Sequence, residues 1–86
     1  MDMDKNNLRE EIDLIDNEIA LLLKRRFAVV KKIGEFKQEY NLPVKDAERE
    51  LQVLNKVASV FDNEGEKRAV KDIYSCIMHN CAEMQK

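Results

Sequence analysis

Residues that break regular structure are nearly absent from this sequence. Its 86 residues include two Gly, one Pro and no Trp, aromatic residues make up 6%, and charged residues make up 37%. This balance, together with apolar residues that recur at helical spacing, predicts an all-α protein. The length supports a single domain, residues 1–86, at the size where one hydrophobic core is only just sufficient.

Other absences restrict the partners and the compartment. No apolar run reaches the length of a membrane span, and the N-terminal MDMDKNN lacks a signal-peptide core. The net charge is −2 with both signs interspersed, which disfavours nucleic-acid binding. Cys76 and Cys81 stand five residues apart in a predicted helix and face different directions, so we expect free thiols. A cytoplasmic protein without membrane or nucleic-acid partners is the expectation.

Most catalytic signatures are missing as well. The single histidine, His79, has no obvious cysteine or aspartate partner, and the sequence lacks metal-ligand spacing, a Gly-rich phosphate loop and a nucleophile elbow. If the protein is an enzyme, its reaction should need no metal, cofactor or covalent nucleophile. Electrostatic stabilisation and conformational restraint would then supply the rate.

Three helices are predicted. The first begins between Asp4 and Asn7 and ends near Tyr40, where Asn41-Leu42-Pro43 interrupts helical geometry. The second begins near Lys45 or Asp46 and carries apolar positions as far as Phe61. A turn is expected over residues 62–65. The third helix continues to about Met84, with apolar residues at three- and four-residue spacing.

The length of the first helix predicts a second copy of the chain. About 35 residues at 1.5 Å each give roughly 50 Å, whereas a compact chain of this size is roughly 30 Å across, given a radius of gyration of about 12 Å. Two shorter helices cannot cover so long an apolar stripe. We therefore predict an intertwined helical homodimer of three-helix chains, one helix of each being very long.

One arginine interrupts the apolar stripe of the first helix. A charge in an apolar stripe is costly unless it meets an opposite charge. That charge could come from Glu18 or Glu35 of a neighbouring helix, or from a ligand. The stripe consists of Leu8, Ile12, Ile15, Ile19, Leu22, Arg26, Val29, Ile33, Phe36 and Tyr40.

Two-fold symmetry would bring further cations to Arg26. If two first helices pack antiparallel about residue 23, Arg9 of the partner subunit lies level with Lys37, although within one chain the two are roughly 40 Å apart. Arg49 would be a fourth cation if the second helix folds back on the first. Such a cluster fits a small ligand with more than one carboxylate or phosphate.

The sequence resembles the all-helical bacterial chorismate mutases. The resemblance rests on LREEIDLIDNEIALLLKRRFAVVKKIGEFK followed by PVKDAERE, and it covers nearly the whole chain. It implies an interlocked dimer with two equivalent active sites. The implied reaction is the cofactor-free Claisen rearrangement of chorismate to prephenate, in the biosynthesis of phenylalanine and tyrosine.

The resemblance also implies the residues of the site. Arg26 and Arg9 of the partner subunit would pair with the substrate carboxylates. Lys37 would donate hydrogen bonds to a carboxylate and to the ether oxygen. Gln85 would donate a hydrogen bond to that oxygen from the other side. Arg26, Lys37 and Gln85 are accordingly the expected catalytic residues, and no metal ligand is expected.

Four more positions complete the implied site. Glu50, with the backbone near Asp46, would receive the ring hydroxyl of the substrate, and Arg49 would complete the polar lining. Cys81 departs from the family pattern, because well-known members carry a serine there that touches a carboxylate. A thiol is the weaker hydrogen-bond donor. Gln85 is the penultimate residue, so substrate or the dimer would have to hold it against fraying.

Two alternatives stay open at this point. An isochorismate-pyruvate lyase on the same scaffold would also use a cationic pocket for a dicarboxylate. A non-catalytic helical dimer, acting as a regulatory or partner-binding module, would share the apolar stripe and show no rate enhancement with chorismate.

Overall fold

Residues 4–86 fold into three α-helices. The computed structural model describes residues 4–86, in which α1 spans Lys5–Glu39, α2 spans Ala47–Ala58 and α3 spans Glu64–Met84, with no β-strand in that range. The predicted all-α class and the exceptional length of the first helix, 35 residues, are confirmed.

Polar side chains set the beginning of each helix. Asp4, Asp46 and Asn63 each accept a hydrogen bond from the backbone N–H three residues further on, at 2.9, 3.0 and 3.0 Å. Each bond satisfies an N–H that the first turn of a helix cannot pair internally. The predicted starts of α1 and α2 agree with these caps.

The predicted boundary between the second and third helices was wrong by a few residues. We expected Phe61 on the second helix and a turn over residues 62–65, but α2 ends at Ala58 and α3 already includes Glu64 and Gly65. The cause is the cap at Asn63, which starts α3 earlier than the glycine indicated. Phe61 lies in the connection, where its N–H bonds the carbonyl of Ala58 at 3.1 Å.

The connection between α1 and α2 turns at Asn41. This residue has a φ of 55°, a left-handed conformation that asparagine tolerates better than most residues. The N–H of Leu42 then bonds the carbonyl of Lys37 at 2.7 Å. The chain passes through Pro43 and enters α2 beside the C-terminal half of α1.

The helices pack only at one end of α1. α2 packs against α3, and α3 packs against α1. The chain measures 58 × 26 × 15 Å and has a radius of gyration of 16.4 Å, against about 12 Å for a compact chain of this length. Residues 4–22 are all exposed, so the N-terminal half of α1 projects beyond the rest of the chain.

Very little of the described chain is fully buried. Val30, Gly34, Ala58 and Cys81 are the buried residues within residues 4–86. The apolar members of the α1 stripe are all exposed, at between 41% and 59%: Leu8, Ile12, Ile15, Ile19, Leu22, Val29, Ile33, Phe36 and Tyr40. Within residues 4–86, no helix combines the length and the hydropathy that crossing a bilayer requires.

Candidate active site

A cavity lies where the three helices meet. It has a volume of about 340 Å³ and is enclosed by the C-terminal half of α1, the first turns of α2 and the last turns of α3. We call it the interhelical pocket. Seven of the eight site residues expected from the sequence line it: Arg26, Lys37, Asp46, Arg49, Glu50, Cys81 and Gln85. The three cations and two carboxylates among them leave the lining with an excess of one positive charge.

The apolar part of the lining was not predicted. Val30 and Ile33 come from α1, Val44 from the connection and Val53 from α2. Val30 lies four residues after Arg26, one helical turn along the same face, and that spacing is the signal that could have identified it. Met78 and Ala82 add an apolar wall from α3. A cavity with polar groups on an apolar wall is typical of small-molecule sites.

Arg26 is held by two uncharged groups. Its Nη1 donates a hydrogen bond to the Cys81 Sγ at 3.0 Å, and its guanidinium carbon lies 5.8 Å from the centroid of the Tyr74 ring. No carboxylate among residues 4–86 forms an ion pair with Arg26, so within the chain neither Glu18 nor Glu35 supplies the opposite charge. The guanidinium keeps its full charge at the edge of the pocket.

Tyr74 is a contact that the sequence reasoning missed. It precedes Cys81 by seven residues, which places both residues on the same face of α3. A residue on that face, two turns before a partner of Arg26, is in position to flank the guanidinium. The spacing in α3 was therefore the available signal.

Lys37 reaches across to the connection before α2. Its Nζ donates to the carbonyl oxygen of Val44 at 2.8 Å. An ammonium group carries three N–H donors, so two remain for a ligand. Lys37 forms no ion pair within the described residues, and its charge, like that of Arg26, is not neutralised by the fold.

The first turn of α2 carries the two acidic residues of the pocket. The Oδ1 of Asp46 accepts the backbone N–H of Arg49 at 3.0 Å, so the Asp46 side chain serves as the helix cap. Glu50 lies 3.8 Å from Lys45, whose side chain is 77% exposed, and such a solvated pair holds the carboxylate only weakly. Glu50 is therefore able to turn toward a hydroxyl in the pocket.

Gln85 occupies the C-cap of α3. Its Oε1 is buried and accepts no hydrogen bond from the described residues. A buried amide oxygen without a partner is uncommon, because its desolvation is uncompensated. Gln85 lines the pocket, and its Oε1 is an acceptor that the described residues leave unused.

Arg9 is not part of the interhelical pocket of its own chain. It is exposed near the start of α1 and lines a separate open cavity with Leu8 and Ile12. The 28 residues between Arg9 and Lys37 correspond to about 42 Å of helix. A contribution from Arg9 to a pocket of this kind therefore requires a second chain.

Metal-binding groups do not cluster anywhere in residues 4–86. No set of three or more His, Cys, Asp or Glu side chains is arranged to hold an ion there. His79 is exposed on α3, away from the pocket. The chemistry available in the pocket is that of charge, hydrogen bonds and shape.

Comparison with known proteins identifies the family of this pocket. The family model of chorismate mutase type II matches residues 8–86. The match covers all three helices, and the chain belongs to this family.

Two curated relatives show how the domain is used elsewhere. A bifunctional chorismate mutase/prephenate dehydratase of Aquifex aeolicus is 37% identical over 83 residues, which cover 92% of this chain but 23% of that protein. A chorismate mutase of Methanocaldococcus jannaschii is 31% identical over 77 residues, which cover 87% of this chain and 78% of that protein. The chain thus spans about a quarter of the first relative and most of the second.

A solved structure has the same fold. A conserved hypothetical protein from Pyrococcus furiosus superposes with a TM-score of 0.82 and 35% sequence identity, covering 100% of both chains. The elongated three-helix arrangement is therefore also found in another protein over its full length.

Proposed function

We propose that this chain is a chorismate mutase that converts chorismate to prephenate. The observation that carries the proposal is the convergence of Arg26, Lys37 and Arg49 on one pocket, where no carboxylate of residues 4–86 pairs with any of them. Unpaired cations around a cavity favour an anionic ligand. Membership of the chorismate mutase type II family identifies chorismate, a dicarboxylate, as the ligand that fits.

The pocket offers a partner for each polar group of chorismate. Arg26 has donors for a forked contact with one carboxylate. Arg9 of the partner subunit is proposed to bind the other carboxylate. The carboxylate of Glu50 would accept the ring hydroxyl, and Arg49 would complete the polar wall. The apolar side chains on α1 and α3 would face the ring.

The reaction needs no group from the protein to be consumed. The ether C–O bond breaks while a C–C bond forms between the enolpyruvyl methylene and the ring, so all atoms stay in one molecule. Negative charge grows on the ether oxygen as its bond lengthens. Lys37 and Gln85 are proposed to donate hydrogen bonds to that oxygen. Losing one such donor costs about 3 kcal/mol of transition-state stabilisation, which is on the order of a hundredfold in rate.

The pocket would also restrain the substrate. The rearrangement passes through a chair-like transition state, so the substrate has to bind in a chair-like conformer with its reacting carbons close together. Fixed cations at both carboxylates hold this conformer. The substrate therefore loses its conformational freedom when it binds, before the reaction begins. Shape and charge together would therefore supply what a nucleophile or a metal supplies in other enzymes.

We further propose that the active form is an intertwined homodimer. The accessible surface of the chain is 7375 Å², against about 5,300 Å² for a folded monomer of its mass. The excess is roughly 2,000 Å² per chain, or roughly 4,000 Å² for two chains, and this total is in the range that obligate homodimers bury. The exposed apolar stripe of α1 lies on that surface, and the second chain would bring Arg9 to the pocket.

Residues 1–86 are proposed to act as one domain with this activity, in the cytoplasm as the sequence predicts. One larger relative is named for two activities, and this chain matches 23% of it. The proposal therefore concerns the mutase reaction alone.

The proposal is tested by incubating the purified protein with chorismate and measuring prephenate. We expect a rate far above that of the uncatalysed rearrangement. An Lys37→Ala preparation, purified in the same way, controls for mutase carried over from the expression host. Pyruvate release from isochorismate would instead indicate the lyase, and no acceleration with either substrate would favour a non-catalytic dimer.

A further inference from the structure

The smallest residue of α1 lies directly against the end of α3. Gly34 is buried, and a Cβ added to it would lie 2.9 Å from the Cα of Gln85 and 3.2 Å from its carbonyl oxygen. Real Cβ atoms essentially never approach backbone atoms so closely. The two helices therefore touch through their backbones at this point, and only glycine permits that contact.

This contact fixes a residue that otherwise has little to hold it. Gln85 is the C-cap of α3, bonded through its N–H to the carbonyl of Ala82 at 3.1 Å. The ion pair of Lys86 with Glu83, at 3.1 Å, is exposed and lies within the same turn of α3. Neither interaction ties the last residues of α3 to another helix. The hydrogen bond from Arg26 to Cys81 does so one turn earlier, and helix ends beyond such a contact fray unless they are docked.

The side chain of Gln85 is half-buried, and no hydrogen bond from the described residues holds its Oε1 in place. One side of the residue borders the interhelical pocket, and another borders a smaller cavity of about 240 Å³ that Gly34 and Leu42 help to line. A side chain between two cavities takes its position from its backbone. The backbone of Gln85 takes its position from Gly34.

The spacing in α1 connects this contact to the chemistry. Gly34 and Lys37 are three residues apart, one turn along the same face of the helix. A residue docked at Gly34 is therefore placed beside Lys37, and both side chains line the same pocket.

We propose that Gly34 is a positioning residue that sets the Gln85 amide at the distance from Lys37 that the transition state requires. The inference rests on the proposed mutase function. Gly34 touches no substrate and acts through Gln85. A methyl group at Gly34 displaces the end of α3 and moves the amide away from the breaking ether bond. The cations still bind the substrate and the transition state equally well. Gly34→Ala should therefore lower kcat and leave KM unchanged.

The test is a double-mutant cycle of Gly34→Ala and Gln85→Ala, with kcat and KM measured for chorismate. Gln85→Ala should lower kcat by about 10²- to 10³-fold. Gly34→Ala should lower it by at least about tenfold, because misplacement by about 1 Å carries a cost of this order. In the Gln85→Ala background, Gly34→Ala should cost less than about twofold, since no amide remains to be displaced.

The thermal midpoint separates positioning from folding. Gln85→Ala retains the Cα and carbonyl that the new methyl group would meet, so the change in Tm caused by Gly34→Ala should be the same in both backgrounds. Gly65→Ala is the matched control: it alters the other glycine, in the first turn of α3, where its Cβ would meet the Oδ1 of Asn63 at 3.0 Å. Its kcat should equal that of the original chain.

Several outcomes overturn the inference. These are an unchanged kcat in Gly34→Ala, an equal loss of kcat in both backgrounds, an unchanged kcat in Gln85→Ala, or a Gly34→Ala chain that fails to fold in either background. If the unaltered protein does not convert chorismate, the proposed function fails. The placement of Gln85 by Gly34 can then still be tested through the NMR signals of the Gln85 side-chain amide. These signals must shift in Gly34→Ala and stay unchanged in Gly65→Ala.

Discussion

At the scale of single residues, the site depends on keeping Arg26 charged and correctly oriented without a carboxylate partner. An internal ion pair would hold the guanidinium, but it would also compete with the substrate for the charge. The Tyr74 ring and the Cys81 thiol orient the group without neutralising it. This is a form of preorganisation that leaves the full attraction for the ligand.

The ring of Tyr74 should matter through its π face and not through its hydroxyl. A cation–π contact is worth about 0.5–2 kcal/mol, so Tyr74→Leu should raise KM for chorismate by roughly two- to thirtyfold. Tyr74→Phe retains the ring, and its KM for chorismate should remain close to that of the unaltered protein. Steady-state kinetics on the two variants checks this. Equal losses in both would assign the effect to the hydroxyl.

The thiol of Cys81 is expected to act as a hydrogen-bond acceptor for Arg26. Cys81→Ser replaces it with a stronger acceptor and should retain or improve KM. Cys81→Ala leaves the Nη1 of Arg26 without this partner, at a cost of about 1–3 kcal/mol, or roughly five- to 150-fold in KM. The two variants differ by one polar atom, and indistinguishable kinetics would show that the 3.0 Å contact does not affect binding.

At the scale of the helices, the caps explain why the helix ends were largely predictable. Asp4 and Asp46 are strong N-cap residues in the sequence, and both helices begin directly after them. The contacts within the site were harder to predict from the sequence. The distance between Gly34 and Gln85, like the contact between Arg26 and Tyr74, depends on how closely two helices approach each other. No spacing within one helix fixes that distance.

The interaction of Lys37 with the backbone was equally hidden. Its acceptor is the carbonyl of Val44, a group that every residue possesses, so no residue type marks it. Its position depends on the left-handed turn at Asn41, which directs the connection back toward α1. The helix register and the family resemblance both predicted Lys37 as a site residue, and the structure adds what holds it.

The cap at Asp46 should affect both stability and substrate binding. Asp46→Ala removes the bond to the Arg49 N–H and should lower the free energy of unfolding by about 1 kcal/mol. It should also raise KM, because the first turn of α2 carries Arg49 and Glu50. Denaturant unfolding and steady-state kinetics measure the two effects.

Two comparison variants test that assignment. Asp46→Asn preserves an N-cap acceptor and should restore stability. Asn63→Ala removes the equivalent cap of α3, far from the pocket, and should reduce stability without changing KM. A rise of KM in Asn63→Ala as large as that in Asp46→Ala would mean that general destabilisation, and not the local cap, weakens binding.

At the scale of the whole molecule, the exposed half of α1 has to be explained. Residues 5–22 form five turns of helix and have no packing partner within residues 4–86. Most of the stability of a helix in a protein comes from the packing of its apolar face, and this half of α1 has no such packing within residues 4–86. Its stability should therefore come from the second chain, and the same association would complete the pocket. In such an arrangement folding, assembly and catalysis are coupled, and the apparent stability should rise with protein concentration.

The proposal of a pocket shared between two subunits predicts complementation between two inactive variants. Arg9→Ala and Lys37→Ala homodimers should each lose most of their activity, because every site lacks either the partner's arginine or its own lysine. In a mixed dimer, one site combines both substitutions and the other has neither. Unfolding and refolding an equimolar mixture should therefore restore activity to about a quarter of the original level, since half of the dimers are mixed and each has one intact site.

Differently tagged chains allow the mixed dimer to be isolated and measured directly. It should then have half the kcat of the unaltered protein and an unchanged KM. The matched control mixes Arg26→Ala with Lys37→Ala: both residues line the same chain's pocket, so each site of that mixed dimer lacks one of them and activity should not return. Recovery in the control, or its absence in the Arg9 mixture, would contradict a site shared between subunits.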